Sequence, residues 1–279
     1  MTVKIVTDSV ADLPSQVTKE LGITVVPLNV RFGTEVYRDS IDLTAEQFYE
    51  RLVDSKILPV TSVPSPGAFA GVYNRLAEET DEILVITVTS KLSGTHEVAL
   101  QSIGLMKKKC RVEVVDSQSA VMAQGFIAIT AARAAKAGAG LDEVLDIARH
   151  NIPRVGMLAV FDTLEYLKRG GRVGKAQALL GSVLKINPII GLKDGEVFPV
   201  GRERSRARAI DQLYNFVVSY HRIEEMAIEY ATARDEAEML AERLNAKFPK
   251  EPILRTRAGP VIGTHTGPSL LLVSVLGDR

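Results

Sequence analysis

Short apolar, β-branched runs alternate with longer segments of helical period along the first half of the chain. Residues 2–7, 23–30, 83–88 and 111–115 carry these runs and are predicted as buried strands. Between them, 14–21 reads as a helix with Pro14 at its start and Gly22 as its stop. Thr44-Ala45-Glu46-Gln47 has capping-box spacing and opens a helix to about 54. Ser65-Pro66 is a cap followed by proline at the first helical position, which opens a helix to about 79. Long alanine-rich segments follow the last two strands. This regular order of strand and helix predicts a parallel sheet covered on both faces.

The pattern changes after a helix over 141–151, which ends at Asn151-Ile152-Pro153. Strand-like runs at 157–161, 189–192, 196–200, 226–231, 252–255 and 270–275 follow, with long helical segments over 206–220 and 234–248. Asp162-Thr163-Leu164-Glu165 has the spacing of another capping box, and its helix stops at Gly170-Gly171. These elements predict a mixed sheet with helices on one face. The expected fold is therefore α/β with two domains. An N-terminal α/β/α domain with a parallel sheet covers 1–150, and a C-terminal α/β domain with a mixed sheet covers 151–279.

Composition changes this picture mainly by exclusion. The 34 Lys and Arg balance the 34 Asp and Glu, whereas a duplex-DNA binder usually carries a basic excess. With 46% apolar and 24% charged residues, the chain is too apolar to be disordered. Cys110 is the single cysteine, so neither an internal disulfide nor a cysteine zinc site is expected. The four histidines lack metal-ligand spacing. The first residues lack the charged start and apolar core of a secretory leader, and no apolar run reaches the length of a membrane span. A cytoplasmic location is the expectation. The glycine-rich phosphate loops, the nucleophile elbow and the His-Glu-x-x-His motif are all missing, so no nucleotide, cofactor or metal is expected.

Candidate chemistry lies in hydroxyl-rich turns after the strands: Thr7-Asp8-Ser9, Thr61-Ser62, Ser90 to Thr95, and Asp116-Ser117. Open α/β sheets bind ligands at the carboxyl ends of their strands. Hydroxyls beside free helix N-terminal N–H groups suit an anion there, although each also serves as a helix cap. Ser93-Gly94-Thr95 stands out, because glycine lets the backbone approach a ligand closely. Lys168-Arg169-Gly170-Gly171-Arg172 places positive charge at a helix end. Arg202 and Arg204 would share one face of an extended segment. Residues 259–268, dense in turn formers, read as a loop that carries His265.

Five segments together resemble the DegV family of bacterial fatty-acid-binding proteins, and they come in that family's order. They are Thr7 to Leu13, Thr61 to Ser65, Ser90 to Thr95, Asp162 to Arg172, and Gly259 to His265. The resemblance implies two α/β domains with a long-chain fatty acid between them and no chemistry of the chain's own. It puts Thr61, Ser93 and His265 at the fatty-acid carboxylate, with Gly94 offering a backbone N–H and Ser62 and Thr95 in the same turns. Some members serve as the fatty-acid-binding subunit of a bacterial fatty acid kinase. There a partner subunit uses ATP to convert the carboxylate into an acyl-phosphate. Arg172 and Arg202 fall where such members carry cations near the head group or the partner, and a protonated His265 would offset the new charge. Val63, Asn187 and Ser269 depart from the residues common in the family.

The energetics suit a lipid. Each buried methylene is worth about 0.8 kcal/mol, so a tail of ~15 gives roughly 12 kcal/mol before the cost of ordering. A hydrogen bond to a charged head adds about 1.5–3 kcal/mol. The tail then supplies most of the affinity and the hydroxyls set its direction. The alternative is a serine hydrolase acting on acyl substrates, with Ser93 as nucleophile and His265 as base.

Overall fold

The computed structural model describes residues 2–55, 57–179 and 186–279. The strands are β1 Lys4–Asp8, β2 Thr24–Val26, β3 Asn29–Phe32, β4 Glu35–Arg38, β5 Val60–Ser62, β6 Glu82–Thr87, β7 Arg111–Asp116, β8 Val155–Val160, β9 Asn187–Lys193, β10 Glu196–Glu203, β11 Arg222–Tyr230, β12 Ile253–Arg257 and β13 Leu271–Asp278. The α-helices are α1 Ser15–Leu21, α2 Ala45–Asp54, α3 Pro66–Leu76, α4 Thr95–Gln101, α5 Val121–Lys136, α6 Leu141–Asn151, α7 Glu165–Arg169, α8 Arg206–Val218, α9 Arg234–Lys247 and α10 Pro260–Thr266.

The N-terminal domain is built on a parallel sheet of order β2-β1-β6-β7, and the C-terminal domain on a mixed sheet of order β10-β9-β8-β13-β11-β12. In the mixed sheet β11 and β12 run parallel and every other pairing is antiparallel. The caps foreseen in the first half form as expected. Thr44 and Gln47 make a reciprocal capping box, and Ser65 accepts the Ala68 N–H with Pro66 inside the helix.

Three expectations need correction. The run over 23–30 is not one strand but two, which enter different sheets. Pro27 has no N–H for a ladder, and the Leu28 N–H turns away to the Ser9 hydroxyl at 3.1 Å. The second part, β3, lies between β4 and β5 in a small antiparallel sheet that the pattern did not foretell. No capping box forms at 162–165, because buried Leu164 sets the helix start and the Glu165 N–H goes to the Thr163 hydroxyl at 3.1 Å. Residues 260–266 are helix α10 rather than loop, started by Pro260 and buried along Val261, Gly263 and Thr264.

Helix α5 joins the layers. From Val121 to Ile129 every residue is buried, the signature of a helix packed on all sides, and only its last turn, with Arg133 and Lys136, reaches solvent. In one continuous core, Met122, Phe126, Ile127 and Ile129 of α5 pack with Ile5, Leu84 and Ile86 of the parallel sheet and with Ala227 and Leu276 of the mixed sheet. Its alanines let both sheets approach. The other face of the parallel sheet is covered by α3 and α4, and that of the mixed sheet by α8 and α9.

Ala128 is fully buried in this shared core. Overpacking such a position costs about 1–3 kcal/mol. Ala128→Leu is therefore expected to lower the urea midpoint at an unchanged m-value, measured by equilibrium unfolding.

Candidate functional site

Where the carboxyl ends of β1 and β6 meet the small sheet, α10 and the mixed sheet, the chain forms a partly open cavity of about 110 Å³. Asp8 sets its floor. One carboxylate oxygen accepts the Val10 N–H at 3.0 Å and the other the Val88 N–H at 2.7 Å, and both valines line the cavity. This carboxyl is fully buried, and desolvation raises its pKa to about 6 against the pull of those N–H donors. Leu28, Met157, Phe161, Ile190 and Leu272 continue an apolar wall.

The polar end is formed by Thr61, Ser93, Arg172 and His265. They come from four separate places in the chain: β5, the turn before α4, the segment after α7, and α10. Thr61 Oγ1 and His265 Nε2 are 2.8 Å apart, and His265 Nδ1 is buried with no protein partner. Burial, reinforced by the Arg172 charge, lowers the His265 pKa to about 4. The imidazole is thus neutral near pH 7. A neutral ring serves as a hydrogen-bonding group, and Arg172 supplies positive charge beside it.

Arg172 is held by backbone alone. Its Nε donates to Leu92 O at 3.1 Å and its Nη1 to Gly170 O at 2.6 Å. Among the described residues no carboxylate pairs with it. A half-buried guanidinium beside neutral hydroxyls and an imidazole leaves this end of the cavity suited to an anion. Ser93 Oγ lies 2.9 Å from Thr95 Oγ1 and accepts the Thr95 N–H at 3.3 Å, so Thr95 orients it from a buried position.

The other expected site residues lie outside the lining. Ser62 is exposed on β5, as alternation along a strand requires once Thr61 faces the cavity. Gly94 is the N-cap of α4, next to Val63 rather than the cavity. Arg202 is exposed near the end of the edge strand β10, opposite Pro188. Two glycines have a role that was read only as helix punctuation or loop composition. A Cβ on Gly170 would stand 2.2 Å from His265 Nδ1, and one on Gly263 would stand 2.5 Å from Phe48 and 2.7 Å from the Tyr49 hydroxyl. Their missing side chains let α10 press against α2 and α7 and fix where His265 sits.

Both ends adjoin other hollows. Thr61, Arg172 and His265 also line a recess edged by Leu58, Pro59, Val60, Tyr166 and Arg169. At the far end, Met157 and Leu192 separate the cavity from a polar cleft that includes Gln118, Arg149 and Asp194. Among the described residues a hydrolytic triad is not assembled. Ser93 bonds to Thr95, the His265 Nε2 is taken by Thr61, and no carboxylate orients its Nδ1.

Comparison with known proteins agrees with this architecture. A DegV domain-containing protein of Streptomyces coelicolor is 37% identical over 278 residues, covering 98% of each chain. A Thermus thermophilus structure described as fatty acid binding of a DegV family protein has TM-score 0.91 and 34% identity, covering 99% of this chain and 100% of that one. A stearic acid-binding protein of Eubacterium ventriosum has TM-score 0.87 and 25% identity, covering 98% of each chain. The model of the DegV family, described as uncharacterised protein, matches residues 2–278, and the chain belongs to that family.

Proposed function

We propose that this chain binds one long-chain fatty acid between its two domains, 1–150 and 151–279, with the carboxylate at Thr61, Ser93 and His265 and the tail along the apolar wall. The observation that carries this reading is the pairing of an apolar cavity with a polar end whose half-buried Arg172 has no carboxylate partner among the described residues. A ligand with a long apolar body and one negative head matches both. The fatty acids named for the Thermus and Eubacterium proteins support the same class.

The tail supplies the larger share of affinity. The cavity, at about 110 Å³, is smaller than the ~150 Å³ that holds a benzene. A long tail must therefore displace lining side chains. Met157, unbranched and adaptable, is suited to this at the partition with the polar cleft.

The reading extends to presentation of the carboxylate to a partner kinase. The chain has no phosphate loop, so nucleotide must come from the partner. Phosphoryl transfer depends on positioning and on stabilising spread negative charge. Thr61, Ser93 and neutral His265 would position the acceptor. Arg172 beside it and Arg202 at the partner-facing surface would answer the charge. The recess that shares Thr61, Arg172 and His265 offers an approach to the head group.

Native mass spectrometry of the purified protein, followed by lipid extraction, is expected to find one fatty acid per chain; a bare chain that also fails to take up added fatty acid would overturn the reading. The double variant Thr61→Ala, Ser93→Ala should weaken binding by about 3 kcal/mol while leaving the tail contribution, measured by fluorescent fatty acid displacement. In a coupled assay with the cognate kinase and ATP, His265→Ala and Arg202→Ala should keep bound fatty acid yet lose most acyl-phosphate formation. Wild-type rates in both variants would leave binding alone.

A further inference from the structure

Asp8 also borders a second hollow at the junction of the two domains, with a volume of about 340 Å³ and no lining residue in common with the apolar cavity. Asp8, Asp12 and Asp39 line it, against one cationic side chain, Arg257. Arg257 donates its Nε to Ala231 O at 2.9 Å, and its guanidinium lies 5.1 Å from the centre of the Tyr49 ring. Among the described residues it forms no salt bridge with any of the three carboxyls. Three acidic groups against one cation make this hollow attractive to positive charge.

Two of the carboxyls have oxygens to offer. Both Asp8 oxygens accept backbone N–H groups, whereas Asp12 Oδ2 and Asp39 Oδ2 are buried with no hydrogen-bond partner among the described residues. Asp39 is only 2% exposed, yet it lines the hollow. The remaining bonds favour ionised forms: Asp12 Oδ1 accepts the Gly259 N–H at 3.1 Å, Asp39 Oδ1 accepts the Ser40 hydroxyl at 3.3 Å, and the Ser9 hydroxyl and Val261 N–H face the same Asp39 carboxyl. The two side chains converge where Gly259 has none. A Cβ there would stand 2.7 Å from Asp12 Oδ1, 3.4 Å from Asp39 Oδ1 and 3.6 Å from Ser40 Oγ, and these oxygens are the nearest atoms to that point outside the glycine and its chain neighbours.

We propose that this hollow binds a small primary amine, its ammonium held between Asp12 and Asp39 and its apolar body laid against Leu13, Val25 and Ile41. An ammonium carries three N–H donors and a full charge, which matches two carboxylates and a neighbouring hydroxyl. Hydrogen bonds between ionised partners are the stronger kind, and a buried carboxylate left without a cation is costly. Burial raises Asp39 to about 6 even against its donors, a cost that an ammonium relieves.

Two features favour an organic cation over a metal ion. Among the described residues no three metal-ligating side chains come together, whereas an ammonium needs only the pair. The hollow is also larger than an ion requires and is partly apolar, with Pro27 and Ala45 beside Leu13, Val25 and Ile41. Its volume falls within the roughly 300–1,000 Å³ of small-molecule sites. Since it shares no lining residue with the apolar cavity, the proposal does not depend on what that cavity holds.

The test adds n-butylamine to the full chain and follows the Ser40 and Gly259 amide resonances. Butylamine should shift both saturably, with a Kd of about 1 mM or below, and 1-butanol, the same body without the charge, should shift neither. Asp39→Asn should weaken butylamine about tenfold or more. A buried carboxyl also bears on folding, so Ile41→Lys is the second variant. Ile41 lines the hollow but is 56% exposed, so a lysine there spares the core and brings a competing ammonium to the carboxyls. It should weaken butylamine about tenfold as well. Saturable shifts that butanol does not give, and that weaken in Ile41→Lys, would uphold the site. Equal shifts with butanol, no saturable shift with butylamine, wild-type affinity in Ile41→Lys, or displacement by magnesium chloride but not by potassium chloride of the same ionic strength would overturn it.

Discussion

The cavity depends on one buried side chain joining the ends of two strands. β1 and β6 run parallel and in register as far as Thr7 and Ile86, beyond which the ladder gives no further bond between them. Asp8 takes over there, accepting one N–H from each following segment. A buried carboxylate is costly unless its oxygens are matched, and these are. Ser9 then accepts the Leu28 N–H, and that bond sends the chain from the parallel sheet into the small antiparallel one. The floor of the cavity and the placement of β5, which carries Thr61, both follow from this short segment.

The polar end divides its work among groups of different kinds. Arg172 brings charge and is fixed by two carbonyls, so no acid competes with an incoming anion for it. His265 brings a neutral ring, pressed into place by the absence of side chains at Gly170 and Gly263. Thr61 is already bonded to that ring, and Ser93 to Thr95. A head group would join bonds that exist beforehand, which lowers the ordering cost of binding. The same arrangement is unsuited to nucleophilic attack by Ser93, since its hydroxyl and the imidazole serve different partners.

Much of this was legible in the sequence, and the exceptions share a physical cause. The caps at Thr44 and Ser65 were readable because the bonds are local, spanning three residues. The buried strands were readable from apolar runs, and the turn hydroxyls from their position after those strands. The division of 23–30 was not, because it is decided by a bond from Leu28 to Ser9, nineteen residues away. Helix α10 looked like a loop because glycine and proline favour turns on their own, whereas close packing on Phe48, Tyr49 and Tyr166 makes them useful in a helix. Asp8 and Glu229 looked like a cap and a strand residue. Their bonds to Val88 and Met122 cross 80 and 107 positions, and no local pattern encodes such a pairing.

Helix α5 carries a consequence for how anything enters or leaves. Two domains with a ligand between them suggest a clamshell that opens about a hinge. Here the two sheets share α5 as a common core, and its large side chains are buried among residues of both. Swinging the domains apart would strip that helix of one of its two walls and expose apolar surface worth about 1.5–3 kcal/mol for each large side chain uncovered. Local yielding at the rim, at residues 58–60 and around Tyr166 and Arg169, would cost less than parting the domains.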